Sequence, residues 1–369
     1  MSTANRLFEP FTLGGQKLAN RMVLPPLTRS RATDEGLATD LMADYYRQRS
    51  GAGLIIAEGT VVLPQATAYP RVPGLYNAAQ VEAWKPVVAA AKHDGNAMYC
   101  QLWHVGRQSH STVQPDGLPP KAPSPVPITG FKYRSPDGPV AYETPREMSE
   151  ADIQEAATAF GAAARNAMIA GFDGVELHGA NGYLIEQFLD DGINRRTDSY
   201  GGSIENRMRF LREVLSAVFD HVPPHRVGVR LSPSSTWMDA IDSDKRRLFG
   251  TVINRLNEFG LAYLHLVEPG IAGSSSAEVS AEAIPTADLA ALFDGPVIVT
   301  GGHTPETADA VIENGTADLV GFGRLFIANP DLPRRFALGA PFGDVRKRGL
   351  YGGTAEGYTD YPELSAAEL

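Results

Sequence analysis

The sequence comprises 369 residues, 43% of them hydrophobic, with 43 acidic against 33 basic side chains, a net charge of -10 and one cysteine, Cys100. No apolar run approaches the ~20 residues a membrane helix needs, MSTANRLFEPF has no basic region followed by an apolar stretch, and an acidic chain without a basic tract argues against nucleic-acid binding. One cysteine forms no internal disulfide, so the expectation is a cytoplasmic protein, monomer or homodimer, with no metal centre and no nucleic-acid or membrane partner.

After an arm in which Leu7, Phe8 and Phe11 cover one end of a core, Arg21 to Pro25 reads as a first buried strand, ending in Pro26-Leu27-Thr28-Arg29. Thr39 opens a helix with Met42, Tyr45 and Tyr46 at helical spacing and Gly51 as its stop. Leu54 to Ala57 is a second strand, followed by a helix on Val81, Trp84, Val88 and Ala91 that Pro86 is expected to kink. The third strand, Ala97 to Leu102, delivers Gln101, Trp103 and His104 to its carboxyl end. Cys100, inside it, is expected to be buried filler. From 107 to 147 the pattern breaks down, with nine of the twenty-seven prolines between Pro115 and Pro145. This is a long excursion, a candidate lid over the barrel mouth.

Order returns with Ser149 as a helix cap, Asp152 three residues on, and Ile153, Ala156, Ala157, Phe160 and Ala164 on one face, closed by Gly171. A fourth strand, Gly174 to Leu177, precedes a helix with Ile204, Met208, Leu211, Leu215 and Val218 in a 3.6-residue stripe. Four more rounds follow: strands Val227–Leu231, Tyr263–Val267, Val297–Thr300 and Leu319–Gly323, with helices at Phe249–Phe259, around Leu289 and Leu292, and after the Thr304-Pro305 cap. Eight alternating β/α units predict a single (β/α)8 TIM barrel, α/β in class, with its site where the strands' carboxyl ends gather.

That rim would carry Thr28, Ala57, Gln101, His178, Arg230, Gly301-Gly302 and Gly323-Arg324. Glycines after strands seven and eight permit close backbone approach to a phosphate, and Arg324 adds a fork for its oxygens. No Gly-x-Gly-x-x-Gly follows a strand, which makes a mononucleotide such as FMN the economical cofactor. Just after the fourth strand, His178, Asn181 and Tyr183 offer an imidazole N–H, an amide and a phenol. These are three donors for an acceptor such as a carbonyl oxygen, and one of them can surrender a proton.

The stretch HGANGYLIEQFLDDGINRRTDSYGGSIENR, from His178 to Arg207, resembles the Old Yellow Enzyme family, whose His-x-x-Asn-x-Tyr motif is followed by N-x-R-x-D-x-Y-G-G-S-x-x-N-R. The likeness extends from Leu7 to Pro362. Thr28, where a second branch of the family has cysteine, and the segment Tyr351 to Pro362 place the chain nearer the N-ethylmaleimide and glycerol trinitrate reductases. The resemblance implies an FMN-dependent ene-reductase: NAD(P)H reduces FMN, which then passes hydride to the β-carbon of an activated alkene such as an enone, enal, maleimide or nitroalkene. It also leaves room for nitrate ester reduction. It assigns the FMN phosphate to Gly301, Gly302, Gly323 and Arg324, and the flavin ring to Thr28, Ala57, Gln101 and Arg230. His178 and Asn181 would hold the substrate oxygen, and Tyr183 would protonate the α-carbon. Tyr69, Trp103, Trp237 and Tyr351, in loops or at strand ends, are expected to line the substrate pocket. A competing reading, a phosphate-binding barrel aldolase or isomerase without flavin, usually wants a Schiff-base lysine or a paired carboxylate, and no lysine closes a strand.

Overall fold

Eight parallel strands close on one another in chain order: β1 (Met22–Leu24), β2 (Leu54–Val61), β3 (Ala97–Trp103), β4 (Gly174–Gly179), β5 (Val227–Leu231), β6 (Tyr263–Val267), β7 (Val297–Thr300) and β8 (Leu319–Gly321). β8 pairs with β1, completing the predicted barrel. The computed structural model describes residues 6–135, 138–273, 275, 276 and 278–365. The strands are apolar along nearly their whole length because the barrel interior covers one face and helices the other. Those helices include α1 (Asp40–Arg47), α2 (Ala78–Ala91), α3 (Glu150–Ala170), α4 (Arg209–Phe219), α5 (Lys245–Leu256), α6 (Thr286–Ala290), α7 (Pro305–Glu313) and α8 (Gly323–Ala328). Among the described residues no helix is long and apolar enough to cross a membrane.

The interior is layered, as a period of two along each strand requires. At the amino end Val23, Ile56, Tyr99, Tyr263, Ile298 and Leu319 form an apolar plug, sealed by Leu13 and Leu18 of the hairpin Phe11–Leu13/Gln16–Leu18. Gly174 faces Tyr99 and Gly228 faces Tyr263 in the ladders, and a Cβ at either glycine would strike the tyrosine ring. Two residues further along four of these strands the inward positions become Gln101, Glu176, Arg230 and His265. Packing at the plug thus sets the height at which polar side chains begin.

Several boundaries differ from expectation. β2 runs through Glu58 and Gly59 to Val61, with a register shift between Ala57 and Thr60. A buried glutamate is tolerated there because Glu58 accepts the Arg29 N–H at 3.2 Å and the Tyr46 hydroxyl at 3.4 Å, and its own N–H donates to Tyr46 Oη. β8 stops at Gly321, so Gly323 begins α8 instead of ending a strand. Thr39 stands at the start of α1, but its hydroxyl donates to the Arg31 carbonyl and caps nothing. The helix α2 passes unbroken through Pro86, which sits on the exposed face together with Glu82, the residue whose carbonyl would otherwise accept the N–H that proline lacks. The 204–218 stripe is split into Ile204–Arg207 and α4.

Within the excursion, Lys132–Ser135 and Gly138–Ala141 form an antiparallel pair. Ile128, Tyr133, Tyr142 and Met238 make a small core of their own. Tyr133 Oη donates to the Ala68 carbonyl at 2.8 Å, and Arg107 spans to the carbonyls of Met238 and Asp239, both at 2.9 Å. These bonds tie the excursion to the strand-end loops.

Candidate active site

The three donors stand at the end of β4 in a tight turn. Asn181 adopts φ 58° and Gly182 φ 71°, so the chain reverses between His178 and Tyr183. An asparagine tolerates this left-handed conformation better than most side chains. His178 and Tyr183 are 5% and 9% exposed, with ring centroids 4.8 Å apart in an edge-to-face pair. Trp103, at the end of β3, lies 6.2 Å from the imidazole and 5.0 Å from the Tyr183 ring, and Tyr69 stacks on it at 6.1 Å. Trp103 reaches this position only because residue 59 is glycine: a Cβ there would lie 2.7 Å from its Cε3.

Electrostatics set the protonation states. Burial, then the Arg230 guanidinium and His265, hold His178 well below the ordinary imidazole range, so it is neutral at pH 7. Its Nδ1 accepts the Ala180 N–H at 3.4 Å, which leaves the proton on Nε2 as a donor. Burial, then the neighbouring Tyr69 phenol, raise Tyr183 well above the usual phenol value, so it keeps its proton. The Asn181 Oδ1 is buried without a partner in the protein.

Below this trio the inward polar layer is linked strand to strand. Gln101 Nε2 donates to Glu176 Oε1 at 2.8 Å, Glu176 Oε2 meets His265 Nδ1 at 2.7 Å, and His265 Nε2 meets Thr300 Oγ1 at 2.7 Å. Burial lowers the His265 pKa against the opposing pull of Glu176, so a neutral ring donates from Nδ1 and accepts the threonine hydroxyl at Nε2. Arg230, paired with His178 and His265 in the ladders, is buried, and its Nε has no partner. Burial lowers its pKa, with Glu176 acting in the opposite direction.

Of the remaining expected residues, Thr28 is half-buried just beyond β1, and Ala57 is fully buried opposite Cys100. Burial pushes the Cys100 thiol up to about 12, in keeping with an inert filler. Gly301 and Gly302 follow β7 with φ 150° and 73°, and a Cβ on Gly302 would meet nothing within 4 Å. Gly323 begins α8, and Arg324 reaches from it to Ser276 Oγ at 2.8 Å. Tyr351 is 46% exposed but near enough to Tyr69 and Tyr183 to raise both phenols. Trp237 packs on Phe131 at 4.8 Å, beside the excursion's small core, and its carbonyl oxygen lies against Gly182 of the turn. His104 accepts the Gly106 N–H and is pushed down to about 3 by burial, a structural residue.

His265 and Thr300 escaped sequence reasoning, as did Glu186, Ser232, Gln108 and Gln187, which hold the turn. A signal existed for His265, which lies two residues after a position that faces the barrel interior.

These features define a class. A buried guanidinium with its Nε unpartnered, backbone open at Gly302 after β7 and a helix start after β8 fit a flat phosphorylated cofactor, while the donor trio and aromatic wall fit an oxygen-bearing small molecule placed against it. The comparisons agree. Residues 6–341 match the NADH:flavin oxidoreductase / NADH oxidase family. A 12-oxophytodienoate reductase of Oryza sativa subsp. japonica is 44% identical, covering 97% of this chain and 94% of the rice protein. Among solved structures, an old yellow enzyme homologue from Zymomonas mobilis superposes with TM-score 0.92 at 38% identity, covering 97% and 99% of the two chains. Morphinone reductase in complex with tetrahydroNAD gives 0.90 at 42%, covering 98% of each.

The chain belongs to the NADH:flavin oxidoreductase / NADH oxidase family, the Old Yellow Enzyme homologues among them. It is an FMN-dependent oxidoreductase that takes hydride from a nicotinamide donor. No lysine closes a barrel strand in the structure either, so the aldolase alternative lacks its nucleophile.

Proposed function

We propose that the protein reduces activated alkenes, among them enones, enals, maleimides and nitroalkenes, with nitrate esters as secondary substrates and NAD(P)H as donor. The observation that carries this reading is the trio at the end of β4: a neutral imidazole and a proton-retaining phenol set against one indole, with an amide in the turn between them. His178 and Asn181 hold the carbonyl or nitro oxygen and draw electron density from the conjugated double bond. Tyr183 supplies the proton to the α-carbon, a role suited to a phenol that burial keeps protonated. FMN, once reduced by the nicotinamide, supplies the hydride. Thr28, Ala57, Gln101 and Arg230 hold its ring, and Arg230, buried with Nε free, offsets negative charge there. Gly301, Gly302, Gly323 and Arg324 take its phosphate. Tyr69, Trp103 and Tyr351 wall the substrate, with Trp237 and the 107–147 excursion covering it as a lid, residues 136 and 137 lying outside the described residues.

The test is Tyr183→Phe, followed by stopped-flow kinetics of the two half-reactions. Flavin reduction by NAD(P)H continues while alkene turnover is lost. A variant that turned over alkenes at the parent rate would remove Tyr183 from this role.

A further inference from the structure

We infer that Glu186 and Ser232 are positioning residues for the substrate-oxygen site, acting as a buried relay that holds Asn181 in its left-handed turn; this rests on the proposed role of Asn181. Every backbone polar group of Asn181 and Gly182 is held by a side chain. The Asn181 N–H donates to Ser232 Oγ at 2.7 Å and the Gly182 N–H to Glu186 Oε2 at 2.6 Å. The Asn181 carbonyl accepts from Gln108 Nε2 at 2.7 Å and the Gly182 carbonyl from Gln187 Nε2 at 2.8 Å. All four side chains are at most 1% exposed.

The relay has a direction. Ser232 Oγ already accepts from Asn181, so its only proton points to Glu186, at 3.2 and 3.1 Å from the two carboxylate oxygens. Glu186 therefore receives two donors at once, the Gly182 N–H and the Ser232 hydroxyl. An ionised carboxylate satisfies both, whereas a carboxamide places an NH2 group against one of them. A non-glycine residue at φ 58° persists only where its surroundings over-determine it. These bonds supply that constraint, and the Asn181 amide is aimed by the backbone they hold.

Two charged groups face Glu186. Lys245 of α5 favours its ionised form, and Asp190, from the end of the helix Leu184–Leu189, faces it as a second buried acid with neither oxygen partnered. Asp242 and Arg107 flank Asp190 in turn. Burial pushes Glu186 up to about 7 and raises Asp190 well above the usual carboxylate range, and the relay is complete once Glu186 is ionised.

The experiment titrates the FMN-loaded protein with a para-substituted phenol, read by its long-wavelength charge-transfer absorption, between pH 6 and 8.5. Ser232→Ala and Glu186→Gln each weaken phenol binding by about tenfold, the worth of one buried hydrogen bond, with flavin content unchanged. Ser232→Thr, which keeps the hydroxyl, restores it. The parent affinity improves through about pH 7, and Glu186→Gln flattens that step. Asn181→Ala is the control. If it leaves phenol binding intact, the role proposed for Asn181 fails. If it weakens binding while Ser232→Ala and Glu186→Gln bind as the parent does, the relay alone is overturned.

Discussion

Gly321→Ala probes the inward polar layer. Gly321 and Thr300 are ladder partners on β8 and β7, and a Cβ on Gly321 would come closer than 3.0 Å to Thr300 Oγ1, with Thr300 Cβ at 3.1 Å and Cγ2 at 3.3 Å. The hydroxyl cannot swing away freely, because it is held at 2.7 Å by the fully buried His265 Nε2. Two costs combine: about 1–3 kcal/mol for overpacking, and about 1–3 kcal/mol for a buried imidazole nitrogen left unpaired. The expected loss is about 2–6 kcal/mol, a large part of the ~5–15 kcal/mol typical of a folded protein. Denaturant unfolding at fixed excess FMN measures it. A double-mutant cycle with Thr300→Ala locates it: without the hydroxyl, Gly321→Ala costs less by about 1 kcal/mol or more. A loss below about 0.5 kcal/mol, within the range of an ordinary surface change, or an additive cycle would refute the reasoning.

Three further predictions concern the rim. Gly59→Ala drives a Cβ to 2.7 Å from Trp103 Cε3 and 2.9 Å from Cδ2; it lowers stability by about 1–3 kcal/mol and weakens phenol binding, and an unchanged near-ultraviolet dichroism spectrum would count against it. His178, held neutral by burial and Arg230, shows no imidazole titration by NMR between pH 8 and 6; an inflection near ~6.5, the value of an unperturbed histidine, would show that it is not desolvated. Glu58 has its folded pKa raised from 4.5 to about 7, so its contribution is full below the unfolded value and is lost as pH rises through the folded one. The stability of Glu58→Gln relative to the parent therefore increases from pH 4.5 to 8, by up to about 3 kcal/mol at ~1.4 kcal/mol per pKa unit. A difference constant with pH would show that folding does not raise the Glu58 pKa.

The sequence by itself determined the alternation of apolar strands and amphipathic helices, hence eight β/α units and the barrel. It also determined that His178, Asn181 and Tyr183 sit within six residues at one strand end, because local periodicity and turn chemistry are written in neighbouring residues. Only the tertiary structure decided what spans strands: Gln101, Glu176, His265 and Thr300 meet across the interior from positions far apart in the chain. A period of two marks Glu176 and His265 as sharing faces with Gly174 and Tyr263, yet it is silent on which strand stands opposite and at what height. That height follows from barrel closure and from the Tyr99 and Tyr263 rings that fill the space left by Gly174 and Gly228. Likewise the strand read as Leu54 to Ala57 stops short of Glu58, since nothing near it in sequence announces Arg29 and Tyr46 as its partners. Trp237 meets Phe131 of the excursion, a contact that no local pattern in the sequence announces. Burial and partnership are properties of packed surfaces, and they come into being only when the chain closes on itself.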